Sequence, residues 1–343
     1  MNKIDTIYNQ FKKETQFGTD LGNYILSNSE KLLSGSLGKT LEKSVQLILT
    51  SPPFPLNKRK KYGNLNGDEY KKWFAKLSEI YSKLLTDNGS IVIELGNAWE
   101  PGRPVESLLP LESLLEFINN SNANLKLCQE FICYNPSRLP SPAQWVTIER
   151  ERVTDSYTRI WWMSKSDHPK ADNRKVLRPY SQNMKDLLKR QSYNAGKRPS
   201  EHKIGEKSFL KDNEGSIPHN FFEIEPLDTN RKVRLPNVFS IANNSSNDFF
   251  SRTCRQRGIT LHPARMPEEL ACFFIEFLTD PGDIVLDPFA GSNTTGYCAE
   301  RLSRSWVAIE INKDYGKQAI IRFENPKVNV NLRKNLLEES DGI

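Results

Sequence analysis

Two short stretches of this chain carry residue types that could do chemistry. Thr50-Ser51-Pro52-Pro53-Phe54 follows directly on Val45-Gln46-Leu47-Ile48-Leu49, an apolar run that reads as a buried strand. Consecutive prolines donate no backbone hydrogen bond and hold φ at about −65°, so this loop presents carbonyl oxygens stiffly at a strand end. An exocyclic amine is the natural guest. Its lone pair is delocalised into the ring that carries it, and it turns nucleophilic only when acceptors hold its hydrogens and draw the nitrogen toward tetrahedral geometry. The Ser51 hydroxyl and the Pro52 carbonyl are the expected acceptors, Pro53 stiffens the tip, and Phe54 offers a face for stacking an extruded base. Glu94 ends the strand-like run Ser90-Ile91-Val92-Ile93-Glu94-Leu95. If its strand is a parallel neighbour, it is expected to accept the Ser51 hydroxyl proton; a solvated strand-end carboxylate is the other reading. Taken alone, Ser-Pro-Pro also fits a strand exit with no chemistry.

The second stretch lies far downstream, where Ile284-Val285-Leu286 runs into Asp287-Pro288-Phe289-Ala290-Gly291-Ser292-Asn293-Thr294 and then a helix-like segment. A strand ending in Asp, followed by a Gly/Ser/Thr turn into a helix, places a carboxylate and backbone N–H groups at the carboxyl edge of a sheet, where doubly wound folds bind ligands. Glu310 falls 23 residues after Asp287 at the end of the next strand. Such folds put there an acid that accepts from ribose hydroxyls, so a nucleoside-containing cofactor is implied. The turn lacks the Gly-Lys-Ser/Thr ending of a phosphate-gripping loop and the spacing of a dinucleotide fingerprint.

The elements that must position these residues alternate. Tyr24-Ile25-Leu26, Leu47-Ile48-Leu49, an amphipathic stretch from Asp68 to Leu85 and Ser90–Leu95 argue for a parallel sheet with crossover helices. Leu125 to Tyr134 and Thr158 to Ser164 read as two further strands, a long hairpin at the sheet edge. Pro267 to Leu278 reads as a helix, followed by the Asp287 strand, a helix to Arg301, the strand ending at Glu310 and a closing helix from Asp314 to Phe323. We therefore divide the chain into a catalytic half at 20–165, a loop-rich insertion with little core at 166–258, a cofactor-binding half at 259–325 and a frayed tail at 326–343.

At 343 residues the chain can bury a full α/β core and carry an insertion. No apolar run approaches a membrane span, and the N-terminus lacks a secretion signal, so a cytoplasmic protein is expected. The five cysteines show no zinc spacing and read as reduced thiols, and no metal is expected. Net charge is +6, but residues 165–211 hold 13 Lys or Arg against 5 Asp or Glu. That excess suits a polyanion, because each cation that meets a phosphate releases counterions; a solvated lysine-rich loop is the bland alternative. Arg174, Lys175, Arg178, Lys197, Arg198 and Lys203 are candidates for groove or phosphate contacts.

Together these residues resemble the beta group of DNA amino-methyltransferases, in which a catalytic tetrapeptide precedes the recognition region and an S-adenosyl-L-methionine turn follows it. Ser51-Pro52-Pro53-Phe54 is similar to the SPPY/F form of cytosine-N4 enzymes, whereas adenine-N6 enzymes usually carry DPPY. Asp287-Pro288-Phe289 with Gly291-Ser292 resembles the DPFxGSGTT signature, and Glu310 falls on the ribose acid. His262-Pro263-Ala264-Arg265-Met266-Pro267 resembles the further cofactor-binding motif before that signature. Asn135-Pro136 resembles the motif at the target-base pocket, and the segments 135–142 and 169–172 are similar to the PvuII-type modification methylases.

The resemblance implies a Rossmann-like S-adenosyl-L-methionine-dependent sheet, mostly parallel with an antiparallel edge hairpin, in circularly permuted motif order. It implies methyl transfer to the N4 amine of a flipped-out cytosine in double-stranded DNA, by a possible monomer paired in function with a restriction endonuclease. Adenine-N6 methylation on the same fold and a DNA-binding protein without turnover are the alternatives. Two departures stand out. Asn293 replaces a glycine, and Asn is the side chain that best tolerates positive φ. Ser27-Asn28-Ser29 stands where many relatives have Gly-Asp near the adenine.

Overall fold

Every residue of Val45–Thr50 and of Ile284–Asp287 is buried, as expected of strands covered on both faces, and these two segments lie side by side in the middle of one large sheet. The computed structural model describes residues 2–54, 65, 67–197, 203–205, 207–225, 238–241, 248–262, 265–326, 328 and 330–334.

The strands of the main sheet are β1 Thr15–Gly18, β2 Gly22–Leu26, β3 Val45–Thr50, β4 Leu85–Gly96, β5 Lys126–Tyr134, β6 Tyr157–Ser164, β7 Phe221–Ile224, β8 Phe239–Ile241, β9 Ile284–Asp287, β10 Ser305–Glu310 and β11 Arg333–Lys334. Their spatial order is β8-β7-β5-β6-β4-β3-β9-β10-β2-β1-β11. Only β6 and β1 run against their neighbours; all other pairs are parallel. The carboxyl ends of β4, β3, β9 and β10 therefore stand in a row on one edge, although β3 and β9 come from opposite halves of the chain. This is the expected α/β sheet with permuted order.

Two apolar layers cover the sheet. Helix Gly67–Leu84 buries Tyr70, Phe74, Leu77, Tyr81 and Leu84, a stripe at helical spacing, against one face. Asp68 and Glu69 in its first turn and Lys83 in its last complement the helix dipole. On the other face, helix Glu268–Leu278 buries Leu270, Phe273, Phe274 and Leu278, and helix Thr294–Arg301 packs beside it. No helix among the described residues is long and apolar enough to cross a membrane. All five cysteines are free, with Cys128 and Cys272 half-buried and the others buried.

The structure adds to the sequence reading in two places. The antiparallel hairpin β5–β6 is present, but β7 and β8 extend the sheet past it, both parallel to β5. They come from the segment read as having little core. Val176, Phe222 and Ile241 of that segment are buried in the second apolar layer, and Phe222 meets Phe131, Phe273 and Phe274. Single apolar residues spread this far apart leave no periodicity to read. In the expected frayed tail, Arg333–Lys334 pairs with β1, and Arg333 bridges Asp5 and Asp20. Ion pairs across more than three hundred residues have no local signature.

The basic segment is partly neutralised where it leaves β6. Lys170 pairs with Asp280 and Asp283, Lys175 with Asp280, and Arg174 with Asp172, which fastens its start to the end of helix Glu268–Leu278. Arg178 lies over the Phe239 ring at 4.6 Å. Arg198 lies outside the described residues. Helix Gln182–Arg190, which buries no residue, carries Lys185, Lys189 and Arg190.

Candidate active site at the carboxyl edge of the sheet

The register of β3, β4 and β9 brings the two chemical stretches together. Thr50 pairs with Ile93 and Leu286 with Ile48, so Ser51 follows Thr50 beside Glu94 on one flank and Asp287 stands on the other. Thr50 Oγ1 donates to Asp287 Oδ1 at 2.8 Å, which ties the Ser51–Phe54 tip to the Asp287–Thr294 turn. Asp287 also accepts from the Phe289 N–H at 3.1 Å and from the Thr295 hydroxyl. Burial raises its pKa to about 6 against those hydrogen bonds.

In the tip, Pro52 is buried and Ser51, Pro53 and Phe54 are half-buried. The Pro53 carbonyl accepts from the Tyr70 hydroxyl at 2.8 Å, which fixes the loop from helix Gly67–Leu84. Neither the Ser51 hydroxyl nor the Pro52 carbonyl is hydrogen-bonded to another described residue, so both acceptors are available. Phe54 packs against Gly96, where an added Cβ would meet the ring at 2.7 Å. Glu94 is half-buried, and Thr158 of the neighbouring β6 donates to it at 3.0 Å. Burial raises its pKa, while Thr158 and the nearby Arg138 pull it down. Its hydrogen bond here goes to Thr158, and none joins it to Ser51.

The cofactor turn is held from all sides. Gly291 has φ of +50°; its N–H donates to Glu310 Oε2 at 2.8 Å and its carbonyl accepts from the Tyr24 hydroxyl at 2.8 Å. Asn293 adopts φ +57°, ψ +44°, and its side chain caps helix Thr294–Arg301 by accepting from the Gly296 N–H at 3.1 Å. This is the left-handed conformation expected of a residue standing in for glycine. Pro288, Ser292 and Thr294 are buried, while Phe289 is half-buried with its ring 5.8 Å from Trp73.

Glu310 Oε1 accepts from the Ile311 and Asn312 N–H groups at 2.9 and 2.8 Å. Three of roughly four acceptor positions are thus filled, and Oε2 keeps one. Burial raises the pKa of Glu310, opposed by these backbone donors. Beside it Ile311 is 71% exposed, an apolar face next to a hydrogen-bonding acid. That pairing suits a nucleoside. Asn28 caps helix Ser29–Ser34, its side chain accepting from Lys31 N–H at 2.9 Å.

His262 packs over Gly291, where an added Cβ would lie 3.3 Å from its Nε2, and meets the Tyr315 ring at 4.3 Å. Arg265 donates to Ser251 Oγ at 3.2 Å and lies over the Phe250 ring. Pro263 lies outside the described residues. Arg322 covers the same ring at 4.1 Å and donates to the Ser292 carbonyl at 2.8 Å, with Glu268 as its ion partner at 2.7 Å. Sequence reasoning missed Tyr24, Tyr70, Ile311 and Arg322, which look like ordinary core or surface residues until the fold places them. Among the described residues no group of His, Cys, Asp and Glu is placed to hold a metal ion.

A family model described as DNA methylase matches residues 45–321. The Type II methyltransferase M.PvuII of Proteus hauseri is 39% identical over 315 residues, covering 91% of this chain and 87% of that protein. The Type II methyltransferase M.BglII of Bacillus subtilis is 25% identical over 314 residues, covering 86% and 71% respectively. Among solved structures, the PvuII DNA methyltransferase described as cytosine-N4-specific superposes with a TM-score of 0.69 at 33% identity, covering 93% of this chain and 92% of that one.

Proposed function

The chain belongs to the DNA methylase family, and from that premise we propose that it transfers the methyl group of S-adenosyl-L-methionine to the N4 amine of cytosine in a specific double-stranded DNA sequence. The observation that carries this reading is the Thr50–Asp287 hydrogen bond, which sets two free acceptors on Ser51 and Pro52 beside a turn suited to a nucleoside. The donor set fits the cofactor. The spare Glu310 acceptor position would take a ribose hydroxyl, Ile311 would lie along the adenine, and the Gly291–Ser292 turn with His262 would border the methionine part.

When bound, S-adenosyl-L-methionine supplies an electrophilic methyl group on a positively charged sulfur. The chain's own residues present the nucleophile. Phe54 stacks the extruded base, and Ser51 Oγ and the Pro52 carbonyl accept the two amine hydrogens, which concentrates the lone pair on nitrogen. Methyl transfer would form the N–C bond as the S–CH3 bond of the cofactor breaks and its electron pair returns to sulfur, and the amine nitrogen would shed one proton past Ser51 Oγ to water. Glu94, on the strand next to Ser51 and held by Thr158 on its far side, contributes its charge to that flank without a hydrogen bond to Ser51.

Serine at the head of the tip, with the similarity to a cytosine-N4-specific enzyme, favours cytosine over adenine. Similarity to Type II methyltransferases supports a role in protecting host DNA from a paired restriction endonuclease, in the cytoplasm. A monomer suffices, because each strand of a palindromic site is methylated singly. The test is methylation of DNA with labelled cofactor and identification of the labelled nucleoside, followed by sequencing that locates N4-methylcytosine in context. Label recovered in N6-methyladenine, or none in DNA, would overturn the proposal.

A further inference from the structure

We infer that Leu139 is the side chain that enters the duplex and fills the space left by the extruded base, an inference that rests on the DNA methyltransferase reading above. A base that leaves the stack opens a gap, and apolar side chains can enter a duplex between base steps, as the wedges of architectural proteins do. Such a wedge must sit on the catalytic edge, be solvent-exposed before binding, and be held stiffly. Residues 135–156 join β5 to β6, and because β5 runs with β4 and β3, this excursion leaves the sheet on the same edge as Ser51. Three strand spacings, roughly 14 Å, separate β5 from β3.

Leu139 is 80% exposed, in the first turn of that excursion. Its base is locked. The Asn135 N–H donates to the Ser156 carbonyl at 2.7 Å, and Asn135 Oδ1 accepts from the Ser137 N–H at 3.0 Å. Arg138, the adjoining residue, donates to the Tyr157 carbonyl at 3.0 Å and lies 3.6 Å from Asp155. Asp155 in turn accepts from Asn97 at 3.0 Å, at the end of β4. Pro136, Pro140 and Pro142 restrict the backbone on both sides. Farther out, Arg152 lies 3.8 Å over the Trp99 ring and donates to the Pro104 carbonyl at 2.6 Å, so the excursion is braced against the neighbouring loop. The Arg138–Asp155–Asn97 chain runs beside Glu94, so the wedge and the amine-binding tip share one frame. Ile148 and Val153 of the same excursion are also exposed, but Leu139 alone of the three stands next to Arg138 and between Pro136 and Pro140.

The experiment compares Leu139→Ala and Leu139→Met with the parent protein on two duplexes: the methylated sequence, and the same duplex with the target cytosine mispaired. A mispaired base leaves the stack more easily and needs less help. On the matched duplex Leu139→Ala is expected to lose roughly 10- to 100-fold in kcat/KM, with most of the activity regained on the mispaired duplex. Leu139→Met is expected to stay close to the parent. S-adenosyl-L-methionine affinity, read by calorimetry, is expected to be unchanged and reports that the variant is folded. An undiminished rate on the matched duplex, or an equal loss on both duplexes, overturns the inference. If the parent protein itself methylates neither duplex, the methyltransferase reading fails instead.

Discussion

Thr50 Oγ1 and Asp287 Oδ1 lie 2.8 Å apart across 237 positions of sequence, so the last residues of the adjacent strands β3 and β9 are hydrogen-bonded to each other. Replacing Thr50 with Val keeps the shape and removes the donor. A buried carboxylate that loses one donor is expected to cost about 1.5–3 kcal/mol of stability. Urea unfolding and calorimetric titration with S-adenosyl-L-methionine measure the two effects, and both are expected to weaken. Parent-like values in both would mean that the tie is inert.

Asp287 itself predicts a pH dependence. Burial lifts its pKa from an ordinary 3.8 to about 6, so the folded chain holds this proton more tightly than the unfolded chain. The stability it contributes is full below the ordinary value and is lost as pH rises through about 6. The change is on the order of 3 kcal/mol. Asp287→Asn carries no such titration, so the stability difference between parent and variant is expected to shift across pH 4 to 7 on about that scale. A flat difference curve would rule the assignment out.

Asn293 combines a left-handed backbone with a helix cap. Alanine there loses both, with an expected cost of about 2–3 kcal/mol, whereas glycine relieves the backbone and is expected to stay within about 0.5 kcal/mol of the parent. Thermal or urea unfolding separates the two variants. Equal loss in both would show that the backbone conformation does not matter.

For the tip, Ser51→Ala is expected to lower kcat about 100- to 1,000-fold with cofactor affinity unchanged, since it removes a positioned acceptor and not a cofactor contact. Glu94 is tested through its partner. Thr158 lowers the pKa of Glu94 by donating to it, so Thr158→Val raises that pKa and is expected to move the acid limb of the kcat–pH profile to higher pH. An unmoved limb, or unchanged turnover in Glu94→Gln, would remove Glu94 from the reaction.

Much of this site was legible because it is local. Val45–Leu49 followed by Thr50-Ser51-Pro52-Pro53, and Ile284–Asp287 followed by Gly291-Ser292, announce strand ends with unusual turn chemistry, and the structure puts both on adjacent strands. Glu310 was legible from its spacing. The supports were not. Tyr70 reaches Pro53 from a helix whose pattern shows only an aromatic core stripe, and Arg322 reaches Ser292 from a closing helix where a charged residue looks solvated. Phe222 was hidden for a different reason: one buried aromatic in a polar segment carries no period, and only the neighbouring β5 and helix Glu268–Leu278 give it a core.

The placement of β9 between β3 and β10 has a consequence for synthesis. On the ribosome β3 emerges early and β9 late, so the central strand waits with one flank unpaired while the long middle of the chain is translated. Thr50 has no Asp287 to hold it until residues 284–310 leave the exit tunnel. A nascent chain thus carries the Ser51–Phe54 tip before the Asp287 turn beside it exists, and translation of the last strands completes the proposed site.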